Sequence, residues 1–321
     1  MLETLQLVFG ALATKDINPV LTHVLIYPGR MQGGDGIISI DAPFECDLPA
    51  MAVPGQKFLN AVIACDGNPT LGVTDGGKLS IKRGSFKAYL STLPSDSFPL
   101  DVVKGEPHPV PMMFLDVLKA LRPFISKDAS RPWSMGVRFS GRFCFATNNI
   151  VLARSPLDWD APDLILPAVA INALLEIKEL PTSVYLEEHA ATFEYNDGSW
   201  LKARTQAGEW PNVAGMIDNC DFAALEPGPA GLPAALNKVK RFCTNVKFPT
   251  VVLSSEGVSS DDGGGDIASV EGLDLPKSQY NADMLALVLD HATKIDLSRY
   301  PAPCLFSGVD NLEGLFVGVK P

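Results

Sequence analysis

Three carboxylates crowd the stretch "PLDWDAPD": Asp158, Asp160 and Asp163. Such groups suit acid–base chemistry or metal binding when a partner motif completes them. Here they sit in a proline-rich connector with no such motif, and a solvated loop is the expectation. The histidines are His23, His108, His189 and His291. None forms the HxxxH or HExxH pair that puts two imidazoles on one helix face around zinc. There is no GxSxG elbow. The "GGDG" at Gly33–Gly36 lacks the Lys-Ser/Thr tail of a phosphate loop and the spacing of a dinucleotide site, and reads as a turn. "GVSSDDGGGD", Gly257–Asp266, reads as a flexible acidic loop, without the spaced ligands and closing Glu of a calcium loop. No catalytic residue, metal ligand or cofactor is assigned, and the chain is not expected to be an enzyme.

What remains is repetition. "TKDINP" at Thr14–Pro19 is echoed by "SKDASRP" at Ser126–Pro132, about one domain length later. "AVPGQKFLNAVI", "ILPAVAINALLEI" and "DLPKSQYNADMLALVL" each pair a proline (Pro54, Pro167, Pro276) with an apolar helical pattern, as when Pro occupies the first turn. The first two helices are followed by a DG turn, an alternating strand and an aromatic-proline stop at Pro99 and Pro211, and "SGVDNLEGLFVGVKP", ending at Pro321, reads as the third copy. The expectation is an α+β chain of three similar, internally doubled units: 1–106, 107–219 and 220–321.

Helical faces sharpen this. Phe114–Ile125 puts Phe114, Leu115, Val117, Leu118 and Leu121 on a broad apolar face, and Pro123 should end or kink the helix early. Leu232–Phe242 turns Leu236, Val239 and Phe242 inward. Leu5, Val8, Phe9 and Leu12 do the same near the start. Pro167–Leu180 and Tyr280–Lys294 read as further helices, with Glu176, Glu179, Asp283 and Asp290 outnumbering their lysines.

The 321 residues carry a net charge of -11 and are 46% hydrophobic. That composition supplies a large core and disfavours a uniformly basic surface, while leaving room for a local basic lining. The six cysteines stand apart, with no CxxC, as free thiols of a reducing compartment do. With no signal-peptide pattern and no long apolar run, the cytoplasm is the expected location. Three similar units without a catalytic motif suit a scaffold or, if two copies associate head to tail, a ring.

In "ALATKDINPVLTHVLI", "FLDVLKALRPFISKDASRPWSMGVRF", "FATNNIVLA", "NDGSWLKARTQAGEWPNVAGMI" and "LEGLFVGVKP", taken in order, the chain resembles the bacterial-type DNA polymerase processivity factor, the β sliding clamp, over essentially its full length. It is somewhat shorter than typical members, which points to a phage-encoded or plasmid-encoded one. The resemblance implies three DNA-clamp domains, with helices inside and antiparallel sheets outside. It implies a head-to-tail homodimer that encircles double-stranded DNA non-specifically, is opened by a clamp-loader ATPase and tethers DNA polymerase through short apolar peptide motifs.

The family's peptide pocket falls on Thr147 and Leu152 as wall, Pro211 at the rim, Met216, and the C-terminal Val317 and Val319. Asn149, Ile150 and Val151 depart from the family's Gly-His-Arg. Gly215 replaces a basic residue, and Gly318 replaces the proline of the terminal "MPMR", whose last position falls on Lys320. These departures imply an altered peptide preference. Lys15 falls on the family's basic first-domain loop position. Lys57, Lys119, Arg122, Lys127, Lys238, Lys240 and Arg241 join it as DNA-facing candidates. The alternative is a protein-binding scaffold of repeated α+β domains that never encircles DNA.

Overall fold

The computed structural model describes residues 1–159, 163–206, 208–212, 214–260 and 265–319. One element order occurs three times among them. First come α1 (Leu2–Phe9), β1 (His23–Tyr27), β2 (Arg30–Gly34), β3 (Ile38–Pro43), β4 (Met51–Pro54), α2 (Gly55–Ala64), β5 (Thr70–Val73), β6 (Leu79–Arg83) and β7 (Phe86–Leu90). Short β8 (Leu93–Pro94) and β9 (Pro107–Pro109) follow. The second series is α3 (Phe114–Leu121), β10 (Gly136–Ser140), β11 (Phe143–Thr147), β12 (Val151–Pro156), β13 (Leu164–Pro167), α4 (Ala168–Ile177), β14 (Ser183–Glu187), β15 (Ala190–Glu194) and β16 (Trp200–Arg204). After α5 (Ala214–Asp218) comes the third: α6 (Leu232–Val239), β17 (Thr250–Ser254), β18 (Gly257–Ser260), β19 (Ile267–Ala268), β20 (Ser278–Asn281), α7 (Ala282–His291), β21 (Ala292–Asp296), β22 (Cys304–Gly308) and β23 (Glu313–Phe316). Strand order repeats too: β4-β1-β2-β3, β13-β10-β11-β12 and β20-β17-β18-β19.

Packing groups the chain into two compact units: Met1–Leu115 with Leu166–Gln206, and Asp116–Ile165 with Ala207–Pro321. The first is built on the nine-stranded sheet β8-β4-β1-β2-β3-β16-β15-β14-β9 and the three-stranded sheet β5-β6-β7. Helices of eight to ten residues are marginal alone, so burial must hold them. Leu5 and Val8 of α1, Phe58 and Val62 of α2, and Ile171 and Leu174 of α4 are buried. Of the expected "GGDG" turn, Gly33 and Gly34 belong to β2, and Gly33 has a packing reason: a Cβ there would fall 2.7 Å from the Val8 carbonyl of α1. Asp35 Oδ1 accepts from the backbone N–H groups of Ile37 and Ile38 at 2.8 Å, closing the turn. A polar knot also crosses this sheet. Fully buried Asp41 accepts from Tyr27, Arg30 and Gln32, and burial together with that carboxylate holds the Tyr27 hydroxyl above its ordinary range.

The second unit is built on the seven-stranded sheet β13-β10-β11-β12-β23-β22-β21 and the four-stranded sheet β19-β18-β17-β20. Its aromatic core stacks Phe124 on Phe306 at 5.8 Å, and Phe316 on Tyr280 at 5.6 Å. Gly314 admits the Phe306 ring, since a Cβ at that position would lie 2.2 Å from its Cζ. Gly314→Ala is therefore expected to cost about 1–3 kcal/mol through overpacking. Gly215→Ala, with open space around it, is expected not to destabilise the fold. Urea midpoints of the two variants make the comparison.

Several boundaries differ from expectation. Pro54 and Pro167 do not enter the first turn; they close β4 and β13 as the residues capping α2 and α4. Their counterpart in the third series is Asn281, not Pro276, and its side chain accepts from the Met284 N–H at 3.0 Å. The helix expected over 280–294 ends at His291, and Thr293 and Lys294 belong to β21. The one expected over 167–180 stops at Ile177, where Lys178 adopts a left-handed φ of 62°. Pro123 ends α3 as expected, with a 3₁₀ turn at Arg122–Phe124. Phe242 is not inward but 60% exposed, because the chain tightens to 3₁₀ after Val239 and rotates it off the face. Of the expected loop 257–266, Gly257–Ser260 is strand β18, and 261–264 lie outside the described residues.

Candidate functional site

In the second unit, a cavity of about 210 Å³ lies where the β11–β12 hairpin meets β23 and α5. Among the described residues, none that lines it is charged. Strand alternation places Leu152 opposite Leu315, and Leu315 opposite Leu305, so one leucine row crosses β12, β23 and β22. Ile217, Phe222 and Phe145 pack into the same buried cluster. Met216, the neighbour of buried Ile217 on α5, is 53% exposed and lines the cavity. The hairpin turn is held from within. Thr147 Oγ1 donates to the Val151 carbonyl at 2.7 Å, Asn148 Oδ1 accepts from the Val151 N–H at 2.8 Å, and Asn149 takes φ 72°.

Thr147, Leu152, Met216 and Val317 all line this cavity; Pro211 and Val319 do not. Pro211 is exposed beside Trp210, whose ring meets Trp133 edge-on at 5.4 Å. Trp133 is itself wall, so this stretch supports the cavity from behind. Val319 is tied elsewhere: its N–H donates to the Gln279 carbonyl at 2.8 Å and its carbonyl accepts from the Tyr300 hydroxyl at 2.8 Å. Between them, Gly318 leaves no room for a side chain, since a Cβ would fall 2.6 Å from Tyr300 Cε2. Lys320 lies outside the described residues. Trp133, Pro303 and Leu315 complete the wall and were not singled out in sequence. Leu315 was readable from its pairing with Leu152 only once the strand register was known.

Arg154 anchors α5 to the sheet. Its Nη1 donates to Asp218 Oδ1 at 2.5 Å and its Nε to Glu313 Oε2 at 2.8 Å, with the guanidinium 4.5 Å from the Phe143 ring centroid. The side chain is only 10% exposed. Arg154→Met would leave Glu313 partly buried and unpaired, and is expected to cost about 2–3 kcal/mol. Because α5 carries Met216, the loss should weaken ligand capture at the cavity as well as lower the thermal midpoint.

The cationic candidates lie in both units. Lys15, Lys57, Lys119, Arg122, Lys127, Lys238 and Arg241 are exposed. Lys240 is half-buried and ion-paired to Asp283 of α7, which neutralises it locally. Of the connector carboxylates, Asp158 pairs with Arg142 and Asp163 with Arg138, which holds the Asp163 carboxyl below its ordinary range. Asp160 lies outside the described residues. Among the described residues no group of three or more His, Cys, Asp or Glu is placed to hold a metal, and no helix is long and apolar enough to cross a membrane.

The architecture has solved counterparts. The Bacillus subtilis DNA polymerase sliding clamp superposes with a TM-score of 0.80 at 18% identity, over 100% of this chain and 97% of that one. The fold is that of the bacterial sliding clamp. A Pseudomonas aeruginosa clamp solved with griselimycin matches at TM-score 0.81 and 18% identity, and the Helicobacter pylori β clamp solved with a DNA ligase peptide at 0.76 and 17%, each over 100% of this chain and 97% of the other. No protein-family profile and no curated protein sequence matches the chain. The clamp fold thus persists here at low identity. Its persistence is physical: the repeated order of helix, four strands, helix and three strands survives wherever the buried alternation survives, whatever the exposed residues become.

Proposed function

We propose that the protein is a DNA sliding clamp. Two copies join head to tail, enclose duplex DNA, and tether the replicative polymerase through the apolar cavity. The observation that carries this reading is the state of the sheet edges. In the first unit β3 is extended by β16, and in the second β12 is extended by β23, both antiparallel. In the repeated order, β19 corresponds to β3 and β12, while β7 corresponds to β16 and β23. Among the described residues, each of β19 and β7 ends its own sheet. Unpaired edges invite strand addition, and two copies can satisfy both pairs at once by closing on each other. Charge favours the match: Lys82, Arg83 and Lys87 flank one edge, and Asp266 adjoins the other.

In this reading the three domains are 1–106, 107–219 and 220–321. Lys15, Lys57, Lys119, Arg122, Lys127, Lys238 and Arg241 contact phosphates without reading bases, and Lys240 contributes less because of Asp283. Exposed Glu176 and Asp290 keep the grip weak, so retention comes from encirclement. The protein performs no chemistry of its own, works in the cytoplasm at replication sites, and depends on a loader ATPase for opening. The cavity, apolar and with no charged residue among the described ones that line it, suits a short apolar peptide, and the Helicobacter pylori clamp was solved with a DNA ligase peptide.

The decisive experiment loads the protein on nicked circular DNA and compares retention before and after linearisation. Retention on the circle with escape from cut ends is expected, together with a dimeric mass in solution. A monomer whose retention ignores DNA topology would instead support a scaffold that does not encircle DNA.

A further inference from the structure

A second, larger cavity of about 520 Å³ opens in the second unit, between the segment 221–229, the turn at Gly272–Leu275 and the β21–β22 connection. Its floor is made of Leu225, Leu273, Leu297 and Leu305, all buried. Asp221, Glu226, Asp274 and Asp296 also line it, with Arg299 as the opposing charge. The walls are fixed rather than loosely draped. The Ile295 N–H donates to the Glu226 carbonyl at 3.0 Å, and Gly228 sits so close to β21 that a Cβ there would fall 2.7 Å from Ile295 Cγ2. Asp221 and Asp296 are held by turn hydrogen bonds through Oδ1, from Ala223 at 3.1 Å and Ser298 at 3.0 Å, which fixes where their charge is presented.

An apolar floor selects apolar side chains, and four carboxylates against one guanidinium select cations. A lone metal ion gains nothing from the leucine floor, and a neutral apolar molecule gains nothing from the carboxylates. From this combination we infer that the cavity is a docking site for a basic, leucine-type segment of a partner protein: apolar side chains on the floor, Lys or Arg against the carboxylates. It is separate from the smaller cavity but shares its support. Leu305 of this floor lies opposite Leu315 of the smaller cavity's wall, so the two linings meet across one strand spacing of about 5 Å. Asp221–Pro229 follows directly on α5, so one stretch of chain walls both.

The test uses the intact protein and two fluorescent probes, the hexapeptides Lys-Leu-Lys-Leu-Lys-Leu and Lys-Ser-Lys-Ser-Lys-Ser. The leucine probe is expected to bind at least tenfold more tightly than the serine probe. Glu226→Gln with Asp274→Asn and Asp296→Asn is expected to weaken it at least tenfold, while Met216→Asp in the smaller cavity leaves it unchanged. Equal binding of both probes would reduce the effect to the overall negative charge. Full binding to the neutralised variant, or loss on Met216→Asp, would place the peptide elsewhere. Any of these three results overturns the inference, and none of them depends on ring closure or DNA.

Discussion

Met216→Asp combined with Val317→Asp is expected to weaken capture of a short apolar peptide by at least a hundredfold while leaving folding and self-association intact. The choice of residues follows from exposure. Met216 and Val317 are 53% and 41% exposed, so a carboxylate at either position is solvated when the cavity is empty. When a peptide closes over them, each carboxylate loses water without gaining a partner, because among the described residues no lining side chain is charged. A penalty of about 3 kcal/mol for the pair corresponds to a hundredfold or more. Leu152 is the obvious target from sequence and the wrong one for this purpose. It is 8% exposed and packs with Leu315, Ile217 and Phe222, so Leu152→Asp buries a charge in the core and unfolds what it is meant to probe. Fluorescence anisotropy of a labelled peptide, with a thermal melt of the same sample, separates the two effects. Unchanged affinity in a folded double variant would remove the cavity as the tether.

That contrast marks what was readable before the structure. Alternation and helical period disclose burial, and burial is what a repeat conserves. The α+β class, the threefold recurrence and the stop at Pro123 were therefore legible. Thr147, Leu152, Met216 and Val317 were placed together only by the resemblance to the clamp family, since neither strand nor helical period joins positions so far apart in the chain. Trp133, Pro303 and Leu315 were not, because they approach from other strands and turns, and only the register of β12 with β23 brings Leu315 beside Leu152. Pro276 misled for a related reason. Proline fixes φ wherever it sits, in a strand end or a linker as well as a first helical turn, so equal spacing of prolines is weaker than the Asn281 side-chain cap that starts α7. Lys240 looked like its neighbours until Asp283, a residue of another helix, was seen to neutralise it. The larger cavity gave no sequence signal: its leucines come from separate segments, each reading as ordinary core.

The edges of the sheets give the prediction with the widest consequence. Tyr89 of β7 is 52% exposed and Ile267 of β19 is 49% exposed, two residues with strong strand preference on terminal strands. Tyr89→Asp with Ile267→Asp puts a carboxylate on each edge and leaves the buried partners of those strands, Leu90 and Ile81 among them, untouched. If the edges pair between copies, each of the two equivalent junctions joins β7 of one copy to β19 of the other, so each loses two apolar side chains and gains two carboxylates next to Asp266. Losses of about 3 kcal/mol at each of two junctions in one closed dimer compound, and the dissociation constant is expected to rise at least a thousandfold. The variant should then run as a monomer in analytical ultracentrifugation, keep its circular dichroism spectrum, and leave circular DNA as readily as linear. Peptide capture should persist, because the small cavity lies wholly within one chain. Raised salt should push the unmodified protein in the same direction, since Lys82, Arg83 and Lys87 would be screened from Asp266. A double variant that stays dimeric and still distinguishes circles from cut DNA would show that β7 and β19 are not the joining edges. The match of topological position would then be a relic of duplication with no role in assembly.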